Sequence, residues 1–305
     1  MSESKFKYAH WNMDKEQEAG FSRELISEDL PETGIETYNY PGVDTVVKGF
    51  DRTAERIPNN NCFGTRVGNE YEWMSFREAR DTAINIAHGV EAFGLAPTVQ
   101  DDEGKDWKFM GIQSKNRKEW CLFNLGNMRQ KITSVALYDT LGKDAMRYII
   151  NQTEMTTVAL SNDLINKLCQ LKIDDATMDE QRLHRVVNVV AFDDAVTDEN
   201  KELAEKAGIK IYTMSEVVAK GKEVAATNAQ LPEVVPTDVY MLSYTSGTTG
   251  DPKGVMLAHK SVMVGTFAAN KRLAVGSTPL GDTDVHISYL PLAHVFEQLL
   301  QALVY

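Results

Sequence analysis

Two periods of hydrophobic and polar positions alternate along this chain, and the switches between them mark its elements. Phe76, Ala79, Ala83, Ile84, Ala87 and Val90 recur at the spacing of one helical face. Ser75 and Glu78 form a capping-box signature at the start of that segment, and Gly94 stands where the helix should stop. Beyond it, strand-like runs at 108–113, 133–137, 156–160, 185–192 and 209–212 alternate with helical patterns at 117–128, 143–151, 162–171 and 198–207, and Ser215 opens a further helix. Strands joined through helices need crossover connections. The pattern therefore predicts an α/β fold, with mainly parallel sheets and helices on both faces.

The first 44 residues read differently. They are polar, carry turn formers at Pro31, Gly34, Pro41 and Gly42, and sustain no period, which predicts an N-terminal extension over 1–44 lying across the rest of the chain. Residues 45–305 then form the main domain, without internal repeats or low-complexity tracts. Within it, Pro232 and Pro236 lead into an apolar-rich strand at 238–244 that stops at a glycine-rich loop. Ligands of open α/β sheets sit at the carboxyl ends of strands, so the loop is placed for one.

Composition narrows the possibilities. With 43% hydrophobic and 25% charged residues the chain reads as soluble and folded. A formal net charge of -12 repels a phosphate backbone, which argues against nucleic acid as a partner. Cys62, Cys121 and Cys169 are widely spaced and form no CxxC pair, so reduced, buried thiols are expected. The N-terminus lacks the apolar core of a signal peptide, and no run is long enough to span a bilayer. A cytoplasmic chain is expected, with peripheral contact with the endoplasmic reticulum or another organelle membrane left open.

The chemistry concentrates in YTSGTTGDPKGVMLAH, residues 244–259. Glycines let the main chain approach phosphate oxygens, hydroxyls add donors, and Lys253 supplies a mobile positive charge, so the stretch reads as a phosphate cradle. Pro252 occupies the position before the lysine where a Walker A loop has its second glycine, which disfavours a P-loop NTPase. His10, His88, His184 and His286 show no metal-ligand spacing, and no GxSxG elbow occurs.

Taken in order, that string resembles the phosphate-loop signature of the AMP-forming acyl- and aryl-CoA synthetases, luciferases and peptide-synthetase adenylation domains. ISYLPLAHVFE at 287–297, ALYDTLG at 136–142 and QSKNRKEW at 113–120 look like the long-chain fatty acyl-CoA synthetase branch. The resemblance implies the incomplete large N-terminal domain of the adenylate-forming fold. It also implies a reaction in which a long-chain fatty acid attacks ATP to give an acyl-adenylate, from which coenzyme A displaces AMP. It further implies that Thr245, Ser246, Gly247, Thr248, Thr249, Gly250 and Lys253 hold the β- and γ-phosphates. The Thr245 hydroxyl would help hold Mg²⁺, and His294 would lie beside the acyl-adenylate near its carboxylate end.

Each residue also has an ordinary alternative: Lys253 as a solvated surface lysine, His294 as a packed or capping histidine, and His259 as a helix-start residue. Glu297 is left between orienting its neighbours and facing solvent. Family members continue past the equivalent of Tyr305, which implies that motifs for adenine, ribose and the catalytic lysine lie outside these 305 residues. The chain is thus expected to be a fragment of a working ligase. The alternative is a short, non-catalytic product that binds a nucleotide or a partner, with apolar surfaces left uncovered.

Overall fold

The computed structural model describes residues 9–11, 16–23, 25–27, 40–180, 182–245, 251–276 and 280–305. Near the N-terminus, β1 (Ala9–Trp11) and β2 (Leu25–Ser27) form a short antiparallel ribbon. Helix α1 (Val46–Arg56) is next, capped by the Thr45 side chain, which accepts from the Lys48 amide. Then come the antiparallel hairpin of β3 (Asn61–Val67) and β4 (Glu70–Ser75), and α2 (Phe76–Ala92). The capping box expected of Ser75 and Glu78 is formed, and Gly94 closes the helix at φ +63°. That left-handed value carries no steric cost for a glycine.

The remaining strands build one eight-stranded sheet. They are β5 (Thr98–Gln100), β6 (Asp106–Gln113), β7 (Thr133–Leu137), β8 (Thr157–Leu160), β9 (Asn188–Ala191), β10 (Lys210–Thr213), β11 (Val239–Thr245) and β12 (Lys253–Ala258). The order is β10-β9-β8-β6-β7-β11-β12, with β5 also paired to β6. From β10 to β11 every pairing is parallel, while β5 and β12 add antiparallel partners. The helices between them are α3 (Lys118–Arg129), α4 (Lys143–Thr153), α5 (Ile165–Asp175), α6 (Asp198–Lys206) and α7 (Met214–Ala225). After β12 come α8 (His259–Gly276) and α9 (Val295–Val304).

Side chains alternate across the pleat and so supply two cores. Met110 and Ile112 of β6, Ala136 of β7 and Met241 of β11 pack under α1, α2 and α3, whereas Val135, Leu137, Val158 and Leu160 pack under α4, α5 and α6. The mainly parallel sheet with helices on both faces is thus as the periodicity predicts. Differences are local. The segment expected as a helix over 162–171 opens with a 3₁₀ turn at Asn162–Leu164, and the strand expected at 185–192 is confined to Asn188–Ala191. The buried Asp175 carboxylate accepts from the amides of Arg182 and Leu183 at 2.8 Å each, which holds the chain in a loop just before that strand. Among the described residues, no helix is long and apolar enough to cross a membrane.

Candidate active site

Register aligns the carboxyl ends of the central strands. Leu160 of β8 and Leu137 of β7 both lie opposite Gln113 of β6, and Ala136 lies opposite Ser243 of β11. The sheet reverses its winding at this point: β6 leads through α3 to β7 on one side, and β7 leads through α4 to β8 on the other. Such a switch point opens a crevice above the strand ends.

The three strings carrying the long-chain resemblance converge there. The buried Gln113 side chain donates to the Tyr138 carbonyl at 3.1 Å, joining QSKNRKEW to ALYDTLG. The Asn116 carboxamide reaches across to the segment holding ISYLPLAHVFE. Its Nδ2 donates to the Ser288 carbonyl at 3.0 Å, Ser288 Oγ at 3.1 Å and the Leu290 carbonyl at 2.6 Å, and its Oδ1 accepts from the Leu292 amide at 2.9 Å. Arg117, at the start of α3, makes a bidentate pair with Asp193 beyond β9 at 3.0 and 2.6 Å, and also bonds Glu119. Arg117 holds the Asp193 carboxyl below its ordinary range, and the pair ties the start of α3 to the loop after β9.

The phosphate-loop candidate connects β11 and β12. Thr245, the last residue of β11, lies directly opposite Lys253, the first of β12, and both side chains are exposed at the mouth of the hairpin. One arm is pinned through Tyr244. Its ring lies against Gly254 on the facing strand, where an added Cβ would stand 3.1 Å from the ring, and its hydroxyl donates to Gln152 of α4 at 2.7 Å. Burial pushes this phenol's pKa up, so it stays a neutral donor. Ser246, Gly247, Thr248, Thr249 and Gly250 lie outside the described residues.

His294 is the N-cap of α9. Its Nδ1 accepts from the Phe296 amide at 3.1 Å, and the ring is exposed. That bond requires a lone pair on Nδ1, so the neutral ring carries its proton on Nε2, as an outward donor. The capping alternative is thus realised through Nδ1, and this bond leaves Nε2 uncommitted. His294 is also tied to the loop's strand, because Ser243, two residues before Thr245, donates to the carbonyl of Ala293 at 3.2 Å.

Two neighbouring residues resolve differently. His259 opens α8 and is buried; its Nδ1 accepts from the Val46 amide at 3.3 Å, and its ring stacks on Tyr240 at 5.0 Å. Burial lowers its pKa to about 4. It is a neutral structural histidine that satisfies the open end of α1. Glu297 does not face solvent: it is fully buried, and its Oε1 meets His286 Nε2 and Gln301 Nε2, each at 3.1 Å. Asn116, Ser243 and Gln152 escape sequence reading as site residues, since their partners lie 172, 50 and 92 positions away in the chain. The cysteines are free, with Cys121 and Cys169 buried and Cys62 partly so, and burial raises all three thiol pKa values.

A profile for the AMP-binding enzymes matches residues 50–305. The chain belongs to the AMP-binding enzyme family. Similar proteins include the long-chain-fatty-acid–CoA ligase 6 of Rattus norvegicus, 32% identical over 291 residues and covering 95% of this chain and 39% of that one. The long-chain-fatty-acid–CoA ligase 1 of Cavia porcellus is 30% identical over 269 residues, covering 88% and 36%. This AMP-binding enzyme chain thus spans 36–39% of the length of those relatives. Its fold matches the adenylation domain of a Mycobacterium chelonae carboxylate reductase with a TM-score of 0.68 at 19% identity, over 90% of this chain and 43% of that domain. It also matches the corresponding domain from Segniliparus rugosus, solved with AMP and a co-purified carboxylic acid, with a TM-score of 0.64 at 19% identity over 90% and 46%. Both matches place the AMP-binding chain in the adenylate-forming fold.

Proposed function

We propose that this chain is part of a long-chain fatty acid–CoA ligase, which adenylates a fatty acid with ATP and then transfers the acyl group to coenzyme A. The observation that carries the reading is the meeting, at one set of strand ends, of the Thr245–Lys253 hairpin and the His294 segment, tied together by Ser243. The long-chain ligases among the relatives support the substrate class. Residues 45–305 are assigned to the AMP-binding domain and 1–44 to an extension; the whole is assigned to the cytoplasm, with peripheral contact with the endoplasmic reticulum or another organelle membrane.

The chemistry needs two anions brought together, a carboxylate and the α-phosphate of ATP, with charge moving onto the departing pyrophosphate. Positioning and charge neutralisation therefore supply most of the catalysis. The exposed Thr245 hydroxyl and Lys253 ammonium fit the β- and γ-phosphates, joined by the amides and hydroxyls of 246–250. Thr245 offers one hard oxygen ligand, so a Mg²⁺ held there would draw its other ligands from phosphate oxygens and water, and would offset charge on the phosphates. His294, with Nε2–H facing outward, is assigned to the carboxylate end of the acyl-adenylate, where a fixed donor steadies a negatively polarised oxygen.

The test is ATP–pyrophosphate exchange by the complete ligase with palmitate, acetate or coumarate. Exchange driven best by palmitate is expected. Equal or faster exchange with the short or aromatic acids would remove the long-chain assignment.

A further inference from the structure

We propose that Asn116 is a positioning residue, whose carboxamide locks the 288–292 segment to the end of β6 and thereby sets where His294 stands. The catalytic half of this inference rests on the adenylation reading above; the structural half stands on the bonds themselves.

Leu290 stands at a bend and Leu292 lies in the turn that the His294 amide closes on the Pro291 carbonyl, so residues 288–292 form no regular element that would hold their own backbone groups in place. Asn116 meets Ser288, Leu290 and Leu292 together, donating to the carbonyls of Ser288 and Leu290 and accepting from the amide of Leu292. One side chain thus supplies partners to an irregular segment that has no ladder to satisfy it. Only a carboxamide presents donors and an acceptor in one plane, and the shorter one fits here: aspartate has no N–H to offer, and glutamine would push the group out by a methylene.

Three bonds beyond Asn116 carry the constraint on to the histidine. The Leu292 carbonyl accepts from Gln298 of α9 at 2.6 Å, Ala293 is held by Ser243, and the His294 amide donates to Pro291 at 2.8 Å. Asn116 itself sits in the turn between Gln113, which ends β6, and Arg117, which precedes α3 and is braced by Asp193. The lock therefore joins a loop segment to a rigid part of the sheet. A misplacement of about 1 Å at a reacting group is enough to cost roughly 100-fold in rate, so a residue that touches no substrate can still govern turnover.

Two measurements test this. In the complete ligase, hydrogen exchange at the Leu292 amide is expected to quicken in Asn116→Ala; unchanged exchange overturns the lock. In the complete ligase, Asn116→Ala is expected to lower palmitate-dependent exchange about tenfold, mainly in kcat. In a His294→Ala background the same change is expected to cost less than about twofold, because two residues acting through one position are not additive. Fully additive losses overturn the positioning role. A silent His294→Ala would defeat the assignment of His294 made above, while faster Leu292 exchange would still uphold the lock. Should Asn116→Ala fold poorly, Asn116→Asp serves in its place. It keeps the acceptor but sets a carboxylate against two carbonyls, and it is expected to lose activity likewise; wild-type activity in that variant overturns the proposal.

Discussion

Ser243 donates from its hydroxyl to the backbone carbonyl of Ala293 at 3.2 Å, so the strand that ends in Thr245 and the segment that presents His294 are bonded directly. The bond is buried, and removing the donor leaves a carbonyl without a partner, at a cost of about 1–3 kcal/mol. Ser243→Ala is expected to lower the urea midpoint accordingly. It is also expected to reduce adenylation beyond what the lost stability explains, read as kcat at a temperature where the variant remains folded.

The loop hydroxyls are assigned to ATP rather than to coenzyme A. Thr248→Ala with Thr249→Ala in the complete ligase is therefore expected to slow adenylation roughly 10- to 100-fold, the size of one or two lost hydrogen bonds to charged oxygens. Transfer from preformed acyl-adenylate is expected to change far less. Equal losses in the two half-reactions would mean that the loop does not serve mainly as an ATP cradle.

How far the fold was legible depends on the range of each signal. Ser75, Glu78 and Gly94 act within a turn or two of one another, and α2 begins and ends where they indicate. The hairpin of β3 and β4 is not evident from the same reading, since most of its residues are exposed on both faces and no strict alternation marks it. β12 is hidden differently: Lys253–Ala258 falls inside the loop string, so its composition reads as chemistry before it reads as strand. At the candidate site, Thr245, Lys253 and His294 can be picked out from sequence because they stand in ordered strings. Asn116 lies within such a string too, but its bonds are fixed only when β6 and residues 288–292 come together in the fold.

Helices α2 and α7 approach so closely that only glycine fits at two points. A Cβ on Gly221 would lie 1.7 Å from the carbonyl oxygen of Asn85, and one on Gly89 would lie 2.0 Å from that of Val217. Both obstacles are backbone, so neither can rotate away. Gly221→Ala is expected to destabilise by about 1–3 kcal/mol, despite alanine's better helix propensity. Gly142→Ala, which meets nothing within 4 Å, is expected to cost less by the same denaturation assay, at most about 1 kcal/mol from weaker capping of α4.

His259 makes stability depend on pH. Its folded pKa, lowered to about 4 by burial, lies below the unfolded value of about 6.5. Between these values the unfolded chain binds the extra proton, so stability is greatest above pH ~6.5 and falls as the pH drops towards 4. The loss from this residue reaches about 3 kcal/mol. His259→Asn keeps an acceptor near the Val46 amide without titrating there, and is expected to flatten that decline in urea midpoints measured at pH 7 and 4.5.

The central claim is that a fatty carboxylate oxygen attacks the α-phosphate of ATP, and an oxygen label tracks that atom directly. The complete ligase, given palmitate labelled with ¹⁸O in its carboxylate, ATP and coenzyme A, is expected to release AMP carrying one ¹⁸O, with unlabelled pyrophosphate. The labelled oxygen bridges carbon and phosphorus in the adenylate and leaves with phosphorus when the thiol attacks carbon. Formation of acyl-CoA with ADP and labelled inorganic phosphate, or with unlabelled AMP, would contradict the account.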